Sequence, residues 1–184
     1  MRVESLIGEL PVAPWNELEI RPENAIEMIV VHWDGGSKPF RADYDPIAYY
    51  RQEARVHIET DWLHLEPGVQ GGYGLMYHEK IARDGRVFLT RPASHVVWAA
   101  RGANRIGYML CVDACESSPP TTHQLESLEV RISALCESFN LNSGAVWGHG
   151  ELRHLGNATE CPGSDLLAWV IAQRKKGLEG AGDF

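Results

Sequence analysis

Two histidines and one cysteine are the residues of this chain whose types and settings could support metal chemistry. His32 ends the apolar run that starts at Met28, and His149 ends a second run that starts at Ala145, so both are predicted to lie at strand ends. Cys161 lies in a Thr-Glu-Cys-Pro-Gly turn before a predicted helix. Two imidazoles and one thiolate suit zinc, and three protein ligands leave a fourth position for water. We therefore predict a catalytic zinc site.

The elements that must position these ligands alternate between strands and helices. A strand is predicted from about Glu27 to Trp33, and a helix begins at Asp45-Pro46, with the aspartate as its cap. A long polar loop follows, over about residues 59–72. The next strand is predicted to start at Tyr73 and to lead into a hairpin, because Asp84-Gly85 separates two apolar runs.

The second half of the chain shows clear helix signals. A strand over about 105–112 is followed by Thr121 and Gln124, which suit a capping box, and by apolar residues at a spacing of three to four. After the strand that leads to His149, Ser164 is predicted to cap the last helix and Gly177 to end it. The sequence therefore predicts an α/β fold, with a mixed central sheet flanked by helices.

Composition narrows the class of protein. With 184 residues, 44% hydrophobic and 23% charged, the chain is predicted to be one domain, with an irregular arm over 1–25, a core over 26–172 and a tail over 178–184. The net charge of −8 argues against nucleic acid as a partner. We also expect no membrane contact and no signal peptide, because no apolar segment suits either. Four cysteines without close spacing favour reduced thiols and cytoplasmic synthesis.

The ordered motifs resemble those of the zinc N-acetylmuramoyl-L-alanine amidases, the family of phage amidase endolysins and peptidoglycan recognition proteins. The resemblance covers about residues 26–172. Its motifs are the apolar strand to His32, the Tyr77-His78 pair before the Asp-Gly turn, Asn104-Arg105-Ile106-Gly107, Trp147-Gly148-His149 and the loop from Thr159 to Gly163.

This resemblance implies hydrolysis of the amide between N-acetylmuramic acid and the first L-alanine of peptidoglycan. Tyr77 is then expected to position water or the oxyanion, with Tyr73 as an alternative on the same face if the strand is regular. Thr159 is a second candidate catalytic residue. The protein is expected to be a monomer that binds peptidoglycan or muropeptides. Tyr73, Asn104 and His95 are expected to contact that substrate.

The sequence also departs from the family pattern. Thr159 stands where some relatives carry a lysine, and Met109 lies near the position at which others carry a glutamate. Trp98-Ala99-Ala100 replaces the Trp-His-Ala of many relatives, and His95 upstream could take the place of that histidine. The loop between the second and third ligands is long, and its His154 is a competing ligand.

Three functions remain open at this stage. One is an endolysin of a phage or prophage, made in the cytoplasm and acting on the bacterial wall after release. Another is a module that binds peptidoglycan without cutting it, which the presence of Cys161 disfavours. The last is a cytosolic amidase that recycles muropeptides. A comparison of activity on intact wall and on soluble muropeptides would distinguish the endolysin from the recycling amidase.

Overall fold

A computed structural model gives the structure of the chain, and the residues it describes are 2–14, 18–36, 38–41, 43–60 and 71–179. The strands within these residues are β1 (Val3–Ser5), β2 (Met28–Trp33), β3 (Glu79–Ile81), β4 (Val87–Leu89), β5 (Gly107–Val112) and β6 (Val146–Gly148). They form one mixed sheet in the order β1-β4-β3-β5-β2-β6. The β3–β4 hairpin is antiparallel, and all other neighbours are parallel. The predicted mixed central sheet is confirmed.

Helices cover both faces of this sheet. They are α1 (Pro46–Glu59), α2 (Thr122–Ser138) and α3 (Ser164–Glu179). The Asp45 carboxylate accepts a hydrogen bond from the amide of Ile47 at 2.9 Å, which caps α1 as predicted. Thr121 and Gln124 form the predicted capping box of α2. Short 3-10 helices span Glu23–Ala25, Ser143–Ala145 and His149–Leu155.

One face of the sheet carries the predicted metal ligand His32, and we call it the site face. Register pairs His32 with Cys111, Cys111 with Lys80 and Lys80 with Phe88, so these four residues form a row across β2, β5, β3 and β4. α1 packs on this face through Tyr50 and Ala54. The opposite face is covered by α2 and α3, whose buried residues include Leu128, Ile132, Leu135, Leu166 and Val170.

Three local predictions were wrong. The arm over 1–25 is not wholly irregular, because β1 pairs in parallel with β4 at the edge of the sheet. The strand predicted from Tyr73 begins only at Glu79. Gly177 does not end α3, which continues to Glu179; a Cβ at Gly177 would lie 2.5 Å from the Ser143 side chain, so close packing explains this glycine.

Two further predictions fall largely outside the described residues. Residues 61–70 of the predicted polar loop lie outside them, and so does the predicted tail from residue 180 onward. Among the described helices, none is both long enough and apolar enough to cross a lipid bilayer.

Candidate metal centre

The three predicted ligands meet at the carboxyl ends of β2 and β6. Ligand atoms of His32, His149 and Cys161 all lie within 4.8 Å of one another. Sγ of Cys161 is 3.6 Å from Nδ1 of His32, and the two imidazole centroids are 4.5 Å apart. Two atoms that share a tetrahedral zinc, at about 2.3 Å for sulfur and about 2.0 Å for nitrogen, are separated by roughly 3.5 Å. The donor set and its spacing therefore fit one tetrahedral ion.

The loop that carries Cys161 is held close to the second histidine. The amide of Gly150 donates to the Cys161 carbonyl at 2.6 Å, and a Cβ at Gly150 would lie 2.8 Å from that oxygen. The Thr159 hydroxyl accepts a hydrogen bond from the Cys161 amide at 3.1 Å. Gly163, at a φ of 78°, lies against the Trp33 indole, where a Cβ would be 2.4 Å from the ring. Two glycines thus permit the approach that brings the thiol to the imidazoles.

Burial sets the protonation state of these ligands. It lowers the pKa of His32 well below the ordinary histidine value and lowers the pKa of His149 as well, so both rings are neutral near pH 7. Burial also raises the pKa of the Cys161 thiol to about 12, against the opposing effect of the Trp33 amide, which donates to Sγ at 3.5 Å. A cation bound here would displace the thiol proton.

The ligands face an open pocket of about 430 Å³, which is lined also by Trp33, Asp34, Gly35, Tyr77, Ala99, Thr159 and Glu160. The Tyr77 ring centroid is 5.3 Å from that of His32. Burial raises the pKa of Tyr77 well above its usual value, so its hydroxyl keeps its proton and can donate a hydrogen bond. Both predicted catalytic residues, Tyr77 and Thr159, therefore lie in the pocket of the metal ligands.

A second group of ionisable residues lies beside this pocket, and we call Lys80, Asp34, Glu53 and Asp113 the Lys80 cluster. The side chain of Lys80 is fully buried, and its Nζ contacts the Asp34 carboxylate. The same Nζ lies 3.0 Å from Glu53 Oε2 and 3.1 Å from Asp113 Oδ1. It also lies 5.3 Å from the centroid of the Tyr77 ring. No sequence pattern predicts this cluster, because a charged residue in a hairpin strand usually faces solvent.

Hydrogen bonds and charges stabilise the cluster internally. The hydroxyls of Tyr44 and Tyr50 donate to Asp113 Oδ2 at 2.9 and 2.7 Å. Burial raises the pKa of Asp113 to about 7 and that of Asp34 to about 6. Burial alone would lower the pKa of Lys80, but the surrounding carboxylates raise it well above its ordinary value, so the ammonium stays charged.

The three residues expected to bind substrate lie outside the ligand pocket. Tyr73 lines a separate pocket in which the Arg91 guanidinium stacks on its ring at 5.2 Å. Asn104 Oδ1 accepts a hydrogen bond from the Ala100 amide at 2.8 Å, which closes a local turn. The carbonyl of His95 lies 3.0 Å from Nε2 of the buried His78. Their contact with substrate stays a prediction.

The departures from the family pattern have structural counterparts. His154 is exposed on the 3-10 helix after β6 and is not part of the ligand group. Met109 is fully buried in an apolar cluster with Val30, so no carboxylate occupies that position. Ala99 lines the ligand pocket with only a methyl group.

Comparison with known structures identifies the fold. N-acetylmuramoyl-L-alanine amidase LysC from Clostridium intestinale URNW superposes with a TM-score of 0.62 at 19% identity, covering 97% of this chain and 98% of its own. Peptidoglycan recognition protein-1 of Manduca sexta gives 0.68 at 18% identity, covering 92% and 89%. Bumblebee PGRP-SA gives 0.69 at 14% identity, covering 92% and 93%. No curated protein matches the chain in sequence.

The sequence itself matches a family model along most of its length. Residues 22–164 match the model described as N-acetylmuramoyl-L-alanine amidase, and this range contains all three ligands of the candidate metal centre. The chain belongs to the N-acetylmuramoyl-L-alanine amidase family.

Proposed function

We propose that this protein is a zinc-dependent N-acetylmuramoyl-L-alanine amidase that cleaves peptidoglycan. The observation that carries the proposal is the convergence of His32, His149 and Cys161 within 4.8 Å in an open pocket beside Tyr77. A zinc ion held by these ligands would polarise the scissile carbonyl and lower the pKa of a bound water toward about 7. Membership of the amidase family supports the same chemistry.

The side chains of the pocket have separate tasks in this proposal. The two neutral imidazoles and the thiolate of Cys161 would be the ligands. Tyr77 donates its hydroxyl hydrogen to the oxygen that becomes negative when water adds to the carbonyl. The Thr159 hydroxyl accepts a hydrogen bond from the Cys161 amide, so its own hydrogen is free to orient toward substrate.

The reaction is a hydrolysis with balanced products. Water oxygen adds to the carbonyl carbon of the lactyl group, the carbon–nitrogen bond breaks, and a proton goes to the departing amine. The glycan keeps a carboxylate, and the stem peptide leaves with a free alanine amino group. Amidase activity therefore creates amino ends and no reducing sugar ends.

Purified peptidoglycan is the substrate for the decisive assay. We expect the zinc-loaded wild type to release stem peptides with new alanine amino groups, and Cys161→Ser to release none, since a hydroxyl is a much weaker zinc ligand than a thiolate. His154→Gln, an exposed residue of the same loop that does not line the pocket, is the matched control and should keep activity. New reducing ends would reject the amidase and indicate a glycosidase.

The same assay tests the non-catalytic alternative. Thr159 instead of a lysine and Met109 instead of a glutamate are the two features that favour a binding module. A wild type that sediments with peptidoglycan but releases no peptide, with zinc bound, would establish that alternative. We expect Cys161→Ser to sediment with peptidoglycan as the wild type does, because nine of the ten residues that line the pocket are unchanged.

We further propose that the enzyme acts as an endolysin on the intact bacterial wall after release from the cell, and that it does so as a monomer. Comparison of intact sacculi with soluble muropeptides tests the first part. Faster cleavage of sacculi supports an endolysin, whereas activity confined to muropeptides would indicate wall recycling. Light scattering of the purified protein tests the oligomeric state.

A further inference from the structure

Asn157 lies in the long loop between the second and third ligands, and its side chain is held in one orientation. The residue is 7% exposed. Its carboxamide nitrogen donates to the carbonyl of Arg101 at 2.8 Å and to that of Leu152 at 3.2 Å. A rotation that exchanged the amide nitrogen and oxygen would place oxygen against two carbonyl oxygens. The two carbonyls therefore fix the position of Oδ1.

This oxygen faces the imidazole of the second ligand. Oδ1 of Asn157 is 3.0 Å from Nε2 of His149. A carboxamide oxygen only accepts hydrogen bonds, so Nε2 must carry the hydrogen. A neutral imidazole has one N–H, which leaves Nδ1 of His149 with a free lone pair. On the first ligand, too, it is Nδ1 that lies 3.6 Å from the Cys161 sulfur.

We propose that Asn157 is a positioning residue that selects the Nε2–H tautomer of His149 and fixes its ring, so that Nδ1 is the ligating atom. The inference rests on the proposed zinc site. Partners that hold the second nitrogen of a ligating histidine commonly contribute 10- to 100-fold to metal affinity, roughly the range we expect here.

This contact explains what the long loop around Asn157 contributes to the site. The loop is long and contains His154, which was predicted as a competing ligand, yet His154 is exposed. The buried polar residue of the loop is Asn157, and its bond to the Arg101 carbonyl ties His149 to the segment that precedes β5. The loop thus supplies an orienting group and no additional ligand.

Nitrogen NMR of the metal-free protein gives a direct test of the tautomer. We expect the wild type to show His149 protonated at Nε2, with the assignment made from a His149→Gln variant. Asn157→Leu removes the acceptor and should give a mixture of tautomers. A wild-type His149 protonated at Nδ1, or an Asn157→Leu spectrum identical to the wild type, would overturn the proposal.

Zinc affinity, measured by competition with a chromophoric chelator, gives the second readout. Asn157→Leu should weaken zinc binding by roughly 10- to 100-fold. Asn157→Asp keeps an acceptor oxygen toward Nε2 but sets its other oxygen against the carbonyls of Arg101 and Leu152, so it should recover only part of the loss. His154→Gln, in the same loop, is the matched control and should bind zinc as the wild type does. Equal affinity of Asn157→Leu and wild type would contradict the proposal. Neither readout uses hydrolysis, so a failed amidase assay with intact zinc binding is distinguishable from failure of this inference.

Discussion

The metal ligands and the Lys80 cluster are neighbours on the site face, yet they handle buried charge in opposite ways. His32 and Lys80 lie in the same row across the sheet, separated by Cys111. The ligand group consists of neutral imidazoles and a thiol. The Lys80 cluster carries its own cation among three carboxylates. The first group is suited to receive an ion, and the second already contains one.

The difference predicts which substitutions damage the fold and which damage the site. Removal of one partner from a buried ion pair leaves a charge without compensation, which is strongly destabilising. Removal of a metal ligand changes a neutral group in an open pocket, so the metal-free protein should tolerate it. Substitutions in the Lys80 cluster should therefore lower the stability of the fold, and substitutions of the metal ligands should lower zinc binding without much loss of stability.

Lys80→Met should have the largest effect, because it leaves Asp34, Glu53 and Asp113 without their cation. We expect a loss of about 3–5 kcal/mol in the free energy of unfolding, measured by urea denaturation without metal. Lys175→Met, an exposed lysine of α3, is the control and should change little. Near-normal stability of Lys80→Met would mean that the carboxylates lose their charge at little cost.

Zinc should stabilise the wild type but not Cys161→Ser. Binding to the folded state alone adds about 2.7 kcal/mol when free zinc is 100 times the dissociation constant. Thermal melts with zinc and with a chelator measure this difference, and metal analysis should give one ion per chain. Equal stabilisation of Cys161→Ser would show that the thiol is not a ligand.

Tyr77 lies between the two groups, with its ring 5.3 Å from the His32 ring and 5.3 Å from Nζ of Lys80. If its hydroxyl serves the reaction, Tyr77→Phe should lower turnover by roughly a hundredfold while zinc affinity is kept. Tyr73→Phe is the paired control, since Tyr73 lines a different pocket. Normal turnover with reduced stability would instead assign Tyr77 to the packing of the Lys80 cluster.

Asp113 should make stability depend on pH. Burial raises its pKa from 3.8 to about 7 in the folded protein, so between these values the folded state binds more protons than the unfolded state. The stabilising contribution is thus complete below about pH 4 and is lost as the pH rises through 7, by up to about 1.4 kcal/mol per pH unit. Urea titrations of metal-free Asp113→Asn should show a flatter pH profile than the wild type. Identical profiles would mean that Asp113 titrates normally.

The ligand group could be predicted from sequence, whereas the Lys80 cluster could not. His32 and His149 end apolar runs, so the pattern places both at the carboxyl ends of strands. Lys80 is adjacent to Glu79 and Ile81 in a short hairpin strand, and its partners come from after β2, from α1 and from after β5. No local pattern links residues so distant in sequence.

Two smaller differences have equally specific causes. The expectation that Tyr73 and Tyr77 share a face assumed a regular strand, but the strand begins only at Glu79. Asn157 reads as an ordinary loop residue, and its role depends on the carbonyls of Arg101 and Leu152, which only the folded chain brings to it. Periodicity predicted the elements, and long-range contacts determined the remainder.

The pairing of β1 with β4 has a consequence for how the chain folds. Val3 pairs with Val87, so more than eighty residues of chain separate the edge strand from its partner. Such distant partners raise the contact order, which slows folding. Until β1 docks, the β4 edge stays unpaired and offers its backbone to other chains. Concentrated refolding should therefore favour aggregation, and dilution should favour recovery of the native protein.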